Sequence, residues 1–167
     1  MLSLESLDFA WGERCLFSDV SLTLGPGLCW LRGANGSGKT TLLRLIAGAL
    51  TATSGRIRLA GFDIYADPLA YRSRCFWANR DALAMDWLCA REFAELNLGL
   101  YRASTAGRAR WQHFVEDLAL SDQLEAPLGT LSLGQGQKLL LSIGLAPDAD
   151  LLLLDEPFNG LNAPALT

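Results

Sequence analysis

The stretch Leu31–Ala49, "LRGANGSGKTTLLRLIAGA", decides the fold of this chain. Nine consecutive positions, 33–41, hold three glycines, one lysine and two threonines, and apolar runs lie on both sides. Gly33, Gly38, Lys39 and Thr40 have the spacing G-x-x-x-x-G-K-[ST] of a phosphate-binding loop between a strand and a helix. The stretch lacks bulky side chains because main-chain N–H groups must approach a bound anion closely.

Each part of this loop predicts a contact with a nucleotide. The helix that follows would direct its positive N-terminal end at the phosphates. Lys39 would supply a charge to the β- and γ-phosphates and act in catalysis, and the Thr40 hydroxyl would ligate Mg²⁺. A glycine-rich turn that matches by chance is the alternative, and the strand–loop–helix context argues against it. The residues predicted to bind the nucleotide here are Gly33, Asn35, Gly36, Ser37, Gly38, Lys39, Thr40 and Thr41.

A second element lies at Asp150–Glu156, "DLLLLDE", an apolar run of strand length that ends in two acids. Such a run suits a parallel sheet that is covered on both faces. Asp155 would hold Mg²⁺ through water, and Glu156 would polarise the attacking water as a catalytic residue.

The remaining pattern predicts an α/β fold with an N-terminal β portion. The apolar spacing at 41–47 predicts a helix with Gly48 as its C-terminal cap. Residues 87–120 have a helical pattern. Strands are predicted at alternating positions 2–11, at Val20–Leu24, at Leu28–Arg32 ("LCWLR", buried), at Ser54–Ile64 (a return strand between glycine turns) and at Arg74–Asn79 (buried).

Composition excludes several classes of protein. The chain has 167 residues and a net charge of −4, which argues against a nucleic-acid partner. The N-terminus lacks a basic and apolar leader, and no apolar run reaches the ~18–20 residues of a membrane span, so we expect a soluble chain. The four cysteines are isolated, which predicts buried thiols in a reducing cytoplasm.

The stretch Leu131–Lys138, "LSLGQGQK", lies between the two motifs described above. With "GANGSGKTT" upstream and "LLLLDEP" downstream, the chain resembles an ATP-binding cassette (ABC) ATPase over essentially all its residues. The resemblance implies a P-loop core with a mostly parallel sheet, an N-terminal antiparallel β portion and a helical insertion at about 85–135. It implies one domain over residues 1–167, short at the C-terminus.

The resemblance also implies roles for particular residues. Ser132, Gly134 and Gln135 would reach the γ-phosphate of ATP on a partner subunit, around that molecule's Lys39; a simple helix cap is the alternative. Trp11 would stack on adenine, with a tryptophan that closes the β layer as the alternative. Phe9 is predicted to be core.

The function implied is that of the ATP-binding subunit of an ABC transporter. Such a subunit forms a dimer, binds and hydrolyses MgATP, and energises a separate transmembrane permease subunit from the inner face of the membrane. The alternative is a truncated or regulatory module that binds ATP without efficient turnover. The stretch Trp11–Phe17, "WGERCLF", is similar to the ATPases of cytochrome c maturation haem exporters. An apolar dock for a partner helix is predicted at Ala84, Met85, Trp87 and Leu88, with packing inside the insertion as the alternative.

The chain departs from the family pattern at several positions. No glutamine precedes Gln112, so Asn79 or Asp81 is the nearest candidate for the usual glutamine role, with Asn79 favoured. Leu133 and Asn162 replace a usual glycine and aspartate. The printed chain ends before the segment that normally supplies a histidine, and we expect its one histidine, His113, to be solvated or partly packed. Because the loss of one such donor typically lowers kcat by ~10²–10³, we expect ATP binding to be kept and hydrolysis by this chain to be poor.

Overall fold

The computed structural model describes residues 1–157 and divides the chain into two compact units. The first unit runs from Met1 to Phe76, and the second begins at Trp77. The predicted replacement at Asn162 lies outside the described residues. The prediction of a single domain over residues 1–167 stays a prediction.

The first unit contains the predicted N-terminal antiparallel sheet, which is confirmed. Its four strands have the spatial order β2-β1-β3-β4, and β1 pairs with β2 and β3 in antiparallel register. Alternate β1 side chains are buried, as the period of two predicts. The elements are β1 (Leu2–Trp11), β2 (Arg14–Leu24), α1 (Lys39–Ile46), β3 (Ser54–Leu59), β4 (Phe62–Asp63) and α2 (Pro68–Arg72).

Helix α1 confirms the predicted helix after the glycine loop, two residues earlier than expected. Its last turn is closed by Gly48, which takes a φ of 73° and donates its N–H to the Leu45 carbonyl 3.1 Å away. Leu45 and Ile46 are buried. The helix therefore has an apolar face that fixes its position and leaves its N-terminus at the glycine loop.

Two strand predictions in this unit are wrong in detail. The segment 28–32 is not a strand, and Leu28 and Trp30 are 100% and 79% exposed. A strand needs a neighbour to satisfy its N–H and C=O groups, and neither described sheet includes this segment. The predicted strand Ser54–Ile64 is a hairpin, β3–β4, because Ala60 and Gly61 turn the chain with φ values of 50° and 88°.

The second unit contains most of the helices and the strand that carries the acidic pair. Strands β5 and β6 form a two-stranded parallel sheet, and both were predicted. Leu98, Trp111, Leu139 and Ile143 contribute to the buried core. Short 3₁₀ turns lie at Arg80–Leu83, Ser121–Gln123 and Leu128–Thr130. The longer elements are β5 (Cys75–Ala78, which begins at the boundary), α3 (Ala90–Leu100), α4 (Thr105–Asp117), α5 (Leu133–Leu145) and β6 (Leu151–Leu154).

The expectation of buried thiols is wrong for two cysteines. Cys15 lies at the exposed end of the β1–β2 hairpin, and Cys29 lies in the unpaired segment 28–32. Cys75 is buried, and burial raises the pKa of its thiol to about 12. Cys89 is half-buried.

Within residues 1–157, none of the helices combines the length and the apolar character needed to cross a membrane.

Candidate nucleotide site

The glycines of the loop 33–38 each meet a specific backbone or packing requirement. Gly36 and Gly38 have φ values of 77° and 95°, a region that side chains strongly disfavour. A Cβ atom at Gly33 would lie 2.7 Å from the Ser37 Oγ, so a side chain there would require the serine side chain to shift. The backbone conformation of the loop therefore favours glycine most strongly at Gly36 and Gly38.

The Lys39 side chain folds over the loop that precedes it. Its Nζ donates to the carbonyl oxygens of Gly33 and Ala34, each at 2.9 Å. An ammonium group carries three donors, so these two bonds leave donor capacity for an anion in the same loop. The Lys39 ammonium group thus lies against the main chain of Gly33 and Ala34 rather than extending into solvent.

Helix α1 begins at this point without a side-chain cap. Its N-cap is Gly38, no side chain among residues 1–157 caps this helix by a hydrogen bond, and its first turn contains no acid. The first N–H groups of a helix lack partners within the helix and carry its positive end charge. Thr40 and Thr41 lie in this first turn, and Thr40 is exposed. The helix start is suited to an anion as its cap.

The predicted adenine partner, Trp11, ends strand β1 and is 51% exposed. Its ring meets the Phe9 ring edge to face, with centroids 5.2 Å apart and planes at 89°. Phe9 is buried at 6% exposure, so its predicted core role is confirmed. Trp11 thus combines a packed edge with an exposed surface.

Sequence reasoning missed two residues that touch the loop. A Cβ atom at Gly38 would lie 3.0 Å from Phe17 Cζ and 3.1 Å from Leu16 Cδ2, so both side chains cover this glycine. The stretch "WGERCLF" contains both residues, but nothing local in it signals a contact with position 38. The only sign of this contact is the burial pattern of β2, because Leu16 and Phe17 are half-buried whereas most other residues of the strand are exposed.

In the second unit, Ser132 is the N-cap of α5 and forms a reciprocal capping box. The Ser132 Oγ accepts the Gln135 N–H at 3.2 Å, and the Gln135 Oε1 accepts the Ser132 N–H at 2.8 Å. Gly134 lies in the first turn of the same helix. A hydroxyl that accepts one bond still has a proton to donate, so Ser132 retains a donor for an anion.

A cleft of about 390 Å³ lies beside Ser132. One wall comes from the 3₁₀ turn Arg80–Leu83, and a Cβ atom at Gly136 would lie only 2.7 Å from the Leu83 Cδ1. The turn is capped by Asn79, whose Oδ1 accepts the Asp81 N–H at 3.1 Å. Asn79 and Asp81, the candidates for the usual glutamine role, therefore belong to the segment that packs on α5.

Asp155 and Glu156 follow β6 directly. Asp155 is half-buried, and Glu156 is exposed with a φ of 48°, a left-handed conformation that is uncommon outside glycine. His113 is exposed on α4, 3.5 Å from the Asp117 carboxylate, in agreement with the expectation of a solvated side chain.

Each unit carries an oxygen ligand of the kind that Mg²⁺ prefers. Mg²⁺ prefers oxygen ligands and usually takes one or two protein groups together with phosphates and water. Thr40 and Asp155 offer a hydroxyl and a carboxylate, and residues 1–157 contain no group of three His, Cys, Asp or Glu side chains that could hold an ion. Trp11 and the phosphate loop belong to the first unit, and Ser132, Asp155 and Glu156 belong to the second.

A glycine loop with a lysine at the start of a helix, a helix-capping serine in the "LSLGQ" stretch and a strand that ends in Asp-Glu define the class of ABC cassettes. The ABC transporter family matches residues 17–159, and the chain belongs to this family. It has the fold and sequence of the ATP-binding subunit of a transporter.

The chain is similar in sequence to curated ATP-binding proteins named for export and for import. The chain is 39% identical to the cytochrome c biogenesis ATP-binding export protein CcmA of Bordetella bronchiseptica, over 93% of this chain and 69% of the relative. It is 34% identical to CcmA of Methylococcus capsulatus, over 96% and 78%. It is also 39% identical to the taurine import ATP-binding protein TauB of Pseudomonas fluorescens, over 98% and 62%.

Solved structures agree with the fold. A structure described as the ATP binding subunit of an ABC transporter superposes with a TM-score of 0.85 at 23% identity, over 99% of this chain and 70% of that one. The dimeric structure of MJ0796, a bacterial ABC transporter cassette, gives 0.76 at 22% identity, over 99% and 78%. The predicted α/β P-loop fold of the ABC ATPase type is confirmed.

Proposed function

We propose that this chain binds MgATP at the loop 33–41, hydrolyses it in a dimer, and drives transport through a separate membrane permease. The observation that carries the proposal is the Lys39 Nζ, held on the Gly33 and Ala34 carbonyls at the uncapped start of α1. A positive end charge, free N–H groups and an ammonium converge there, and a triphosphate satisfies all three.

The remaining roles divide between the two ends of the nucleotide. Trp11 stacks on adenine, Thr40 and Asp155 hold Mg²⁺, and Glu156 orients the attacking water. When bound, Mg²⁺ neutralises charge on the β- and γ-phosphates. Ser132, Gly134 and Gln135 of a second copy close over the γ-phosphate, so two identical chains form two sites.

The surface of the second unit supports a permease partner. Trp87 is 79% exposed and Ala84 is exposed, and the cleft beside Ser132 is lined partly by the turn Arg80–Leu83. An apolar helix of the permease would dock there, and the chain would then lie at the inner face of the membrane. Relatives named for export and for import match at the same 39% identity, so the likeness fits a transporter of either direction.

Removal of the Lys39 charge tests nucleotide binding. We expect Lys39→Ala to weaken ATP binding by about a hundredfold, the scale of lost hydrogen bonds to a charged group. Lys138→Ala is the matched control, because Lys138 lies on α5 and donates to the Leu118 carbonyl. A titration with fluorescent ATP measures both variants, and equal affinity for wild type and Lys39→Ala would refute the assigned cradle.

Replacement of Glu156 tests turnover. If Glu156 orients the attacking water, Glu156→Gln abolishes phosphate release and accumulates an ATP-bound dimer, which size-exclusion chromatography detects. The alternative, a module that binds ATP without turnover, predicts no phosphate release from the wild type even with permease present. It also predicts the same dimer fraction with and without the substitution.

A further inference from the structure

The β1–β2 hairpin connects the predicted base platform to the phosphate loop through three aromatic side chains. Trp11 packs edge to face on Phe9 at 5.2 Å. Phe9 is the cross-strand partner of Phe17, so their side chains lie on the same face of the sheet as neighbours. Phe17 in turn covers Gly38, where a Cβ atom would lie 3.0 Å from its Cζ.

A register shift accounts for the contact with Gly38. Phe9 pairs with Phe17 and the next residue, Ala10, pairs with Cys15, which leaves Leu16 as an extra residue on β2. Such a bulge bends a strand and changes the direction of its side chains. Leu16 and Phe17 are consecutive residues that would otherwise point to opposite faces, yet both lie against Gly38.

The position they cover is the N-cap of α1. Gly38 has a φ of 95°, and the glycine itself offers no side chain to maintain that conformation. The N–H groups of Gly38 and Lys39 are among those that would bind phosphate in the proposed site. A side chain that packs on Gly38 therefore restrains the groups that would face the anion without touching the anion.

We propose that Phe17 is a positioning residue for triphosphate binding, which holds the N-cap of α1 through its contact with Gly38. This inference rests on the proposed nucleotide site and adds a residue to it. Phe17 differs in role from Trp11, because Trp11 acts on the base whereas Phe17 acts on the phosphates. The two roles separate when the ligand has no base.

The test compares ATP with inorganic tripolyphosphate, each with Mg²⁺, by calorimetric titration of the purified chain. We expect Phe17→Ala to weaken both ligands by about tenfold, the scale of one hydrogen bond to a charged group. Trp11→Ala is expected to weaken ATP and to leave tripolyphosphate unchanged. Phe17→Leu, which keeps an apolar side chain, is expected to restore part of the lost affinity.

Phe62→Ala is the matched control, because Phe62 is a half-buried phenylalanine of the same sheet that packs under the Arg74 guanidinium, 4.0 Å from its ring centroid. It removes the same side chain and is expected to leave both affinities unchanged. The inference is overturned if Phe17→Ala binds tripolyphosphate like wild type, or if Phe62→Ala loses as much affinity. If Phe17→Ala does not fold, Phe17→Leu decides in the same way, and unchanged tripolyphosphate affinity overturns the inference. A wild type that binds neither ligand refutes the proposed function itself.

Discussion

Helices α1 and α5 both begin at a glycine-containing stretch, but their first turns are satisfied in different ways. Helix α1 starts at Gly38 with a left-handed φ and without a side-chain cap, and Lys39 lies across the loop. Helix α5 starts with a complete capping box between Ser132 and Gln135. The first N–H groups of α1 therefore have no side-chain partner and suit the anion of the proposed site, whereas in α5 the Gln135 N–H already has the Ser132 hydroxyl as its partner.

Exchange of the glycine that starts α1 should give the largest effect. We expect Gly38→Ala to cost roughly 1–3 kcal/mol of backbone strain and to displace Phe17 and Leu16. Because the phosphate-binding N–H groups move with it, ATP affinity should fall by about a hundredfold, the cost of several misplaced charge-assisted bonds. Isothermal titration and thermal unfolding measure the two effects.

Gly134→Ala is the control in the other helix. Gly134 lies inside α5, where alanine is a better helix former than glycine, so the variant should fold at least as well. A single chain of this variant should bind ATP like wild type. The contrast between the helices would fail if Gly38→Ala kept the wild-type affinity or if Gly134→Ala lost it.

Removal of the α5 cap should give an intermediate effect. We expect Ser132→Ala to cost about 1 kcal/mol of stability, as is typical for a lost N-cap. Ser104 caps α4 by accepting the Gly107 N–H at 3.1 Å, so Ser104→Ala should lose a similar amount. Only Ser132→Ala should reduce ATP-dependent dimerisation, measured by sedimentation in the Glu156→Gln background. Equal dimerisation of the two variants would show that Ser132 acts only as a helix cap.

A change of pH should give the smallest effect, and it should distinguish the capping box of α3 from that of α5. Helix α3 has a box between Cys89 and Glu92, and the Cys89 N–H followed by the Cys89 side chain lowers the pKa of Glu92 below its ordinary value of 4.5. The contribution of this box to stability is therefore fully present above about pH 4.5 and is lost as pH falls through the lowered pKa. The α5 box uses the neutral Gln135 and does not titrate.

Urea unfolding at pH 7 and at pH 3 measures this contribution. Other carboxylates also titrate in this range, so Glu92→Gln is the reference that isolates Glu92. The wild type should lose more stability than Glu92→Gln between the two values. An identical loss for both proteins would show that the α3 box contributes nothing in its charged form.

The sequence predicted the elements whose signals are local. Glycine spacing and apolar periodicity located α1 and Gly48, and the apolar run Asp150–Glu156 located β6. The predicted strand at 28–32 is wrong because apolar composition indicates a strand only if partner strands satisfy its backbone hydrogen bonds. Neither described sheet supplies a partner strand for this segment.

The candidate site, like the fold, could be predicted only where its signal is local in the sequence. Gly33, Gly38 and Lys39 follow from one motif, because the residues of the proposed phosphate site are adjacent in the chain. The cover of Gly38 by Leu16 and Phe17 was not predictable, because it joins residues more than twenty positions apart and depends on a bulge. The turn at Ala60 was missed because a non-glycine residue there takes a positive φ.

The exposure of Leu28 and Trp30 has a practical consequence for handling the protein. Chymotrypsin cleaves after large apolar residues, and exposed backbone that no sheet includes is where proteases cut. A cut after Trp30 would place Trp11 and Phe17 on a different fragment from the loop that begins at Gly33, but the antiparallel pairing of β1 with β3 would still hold the two fragments together. Titration of the nicked protein with ATP and with tripolyphosphate would measure how far the proposed nucleotide site depends on the covalent link between them.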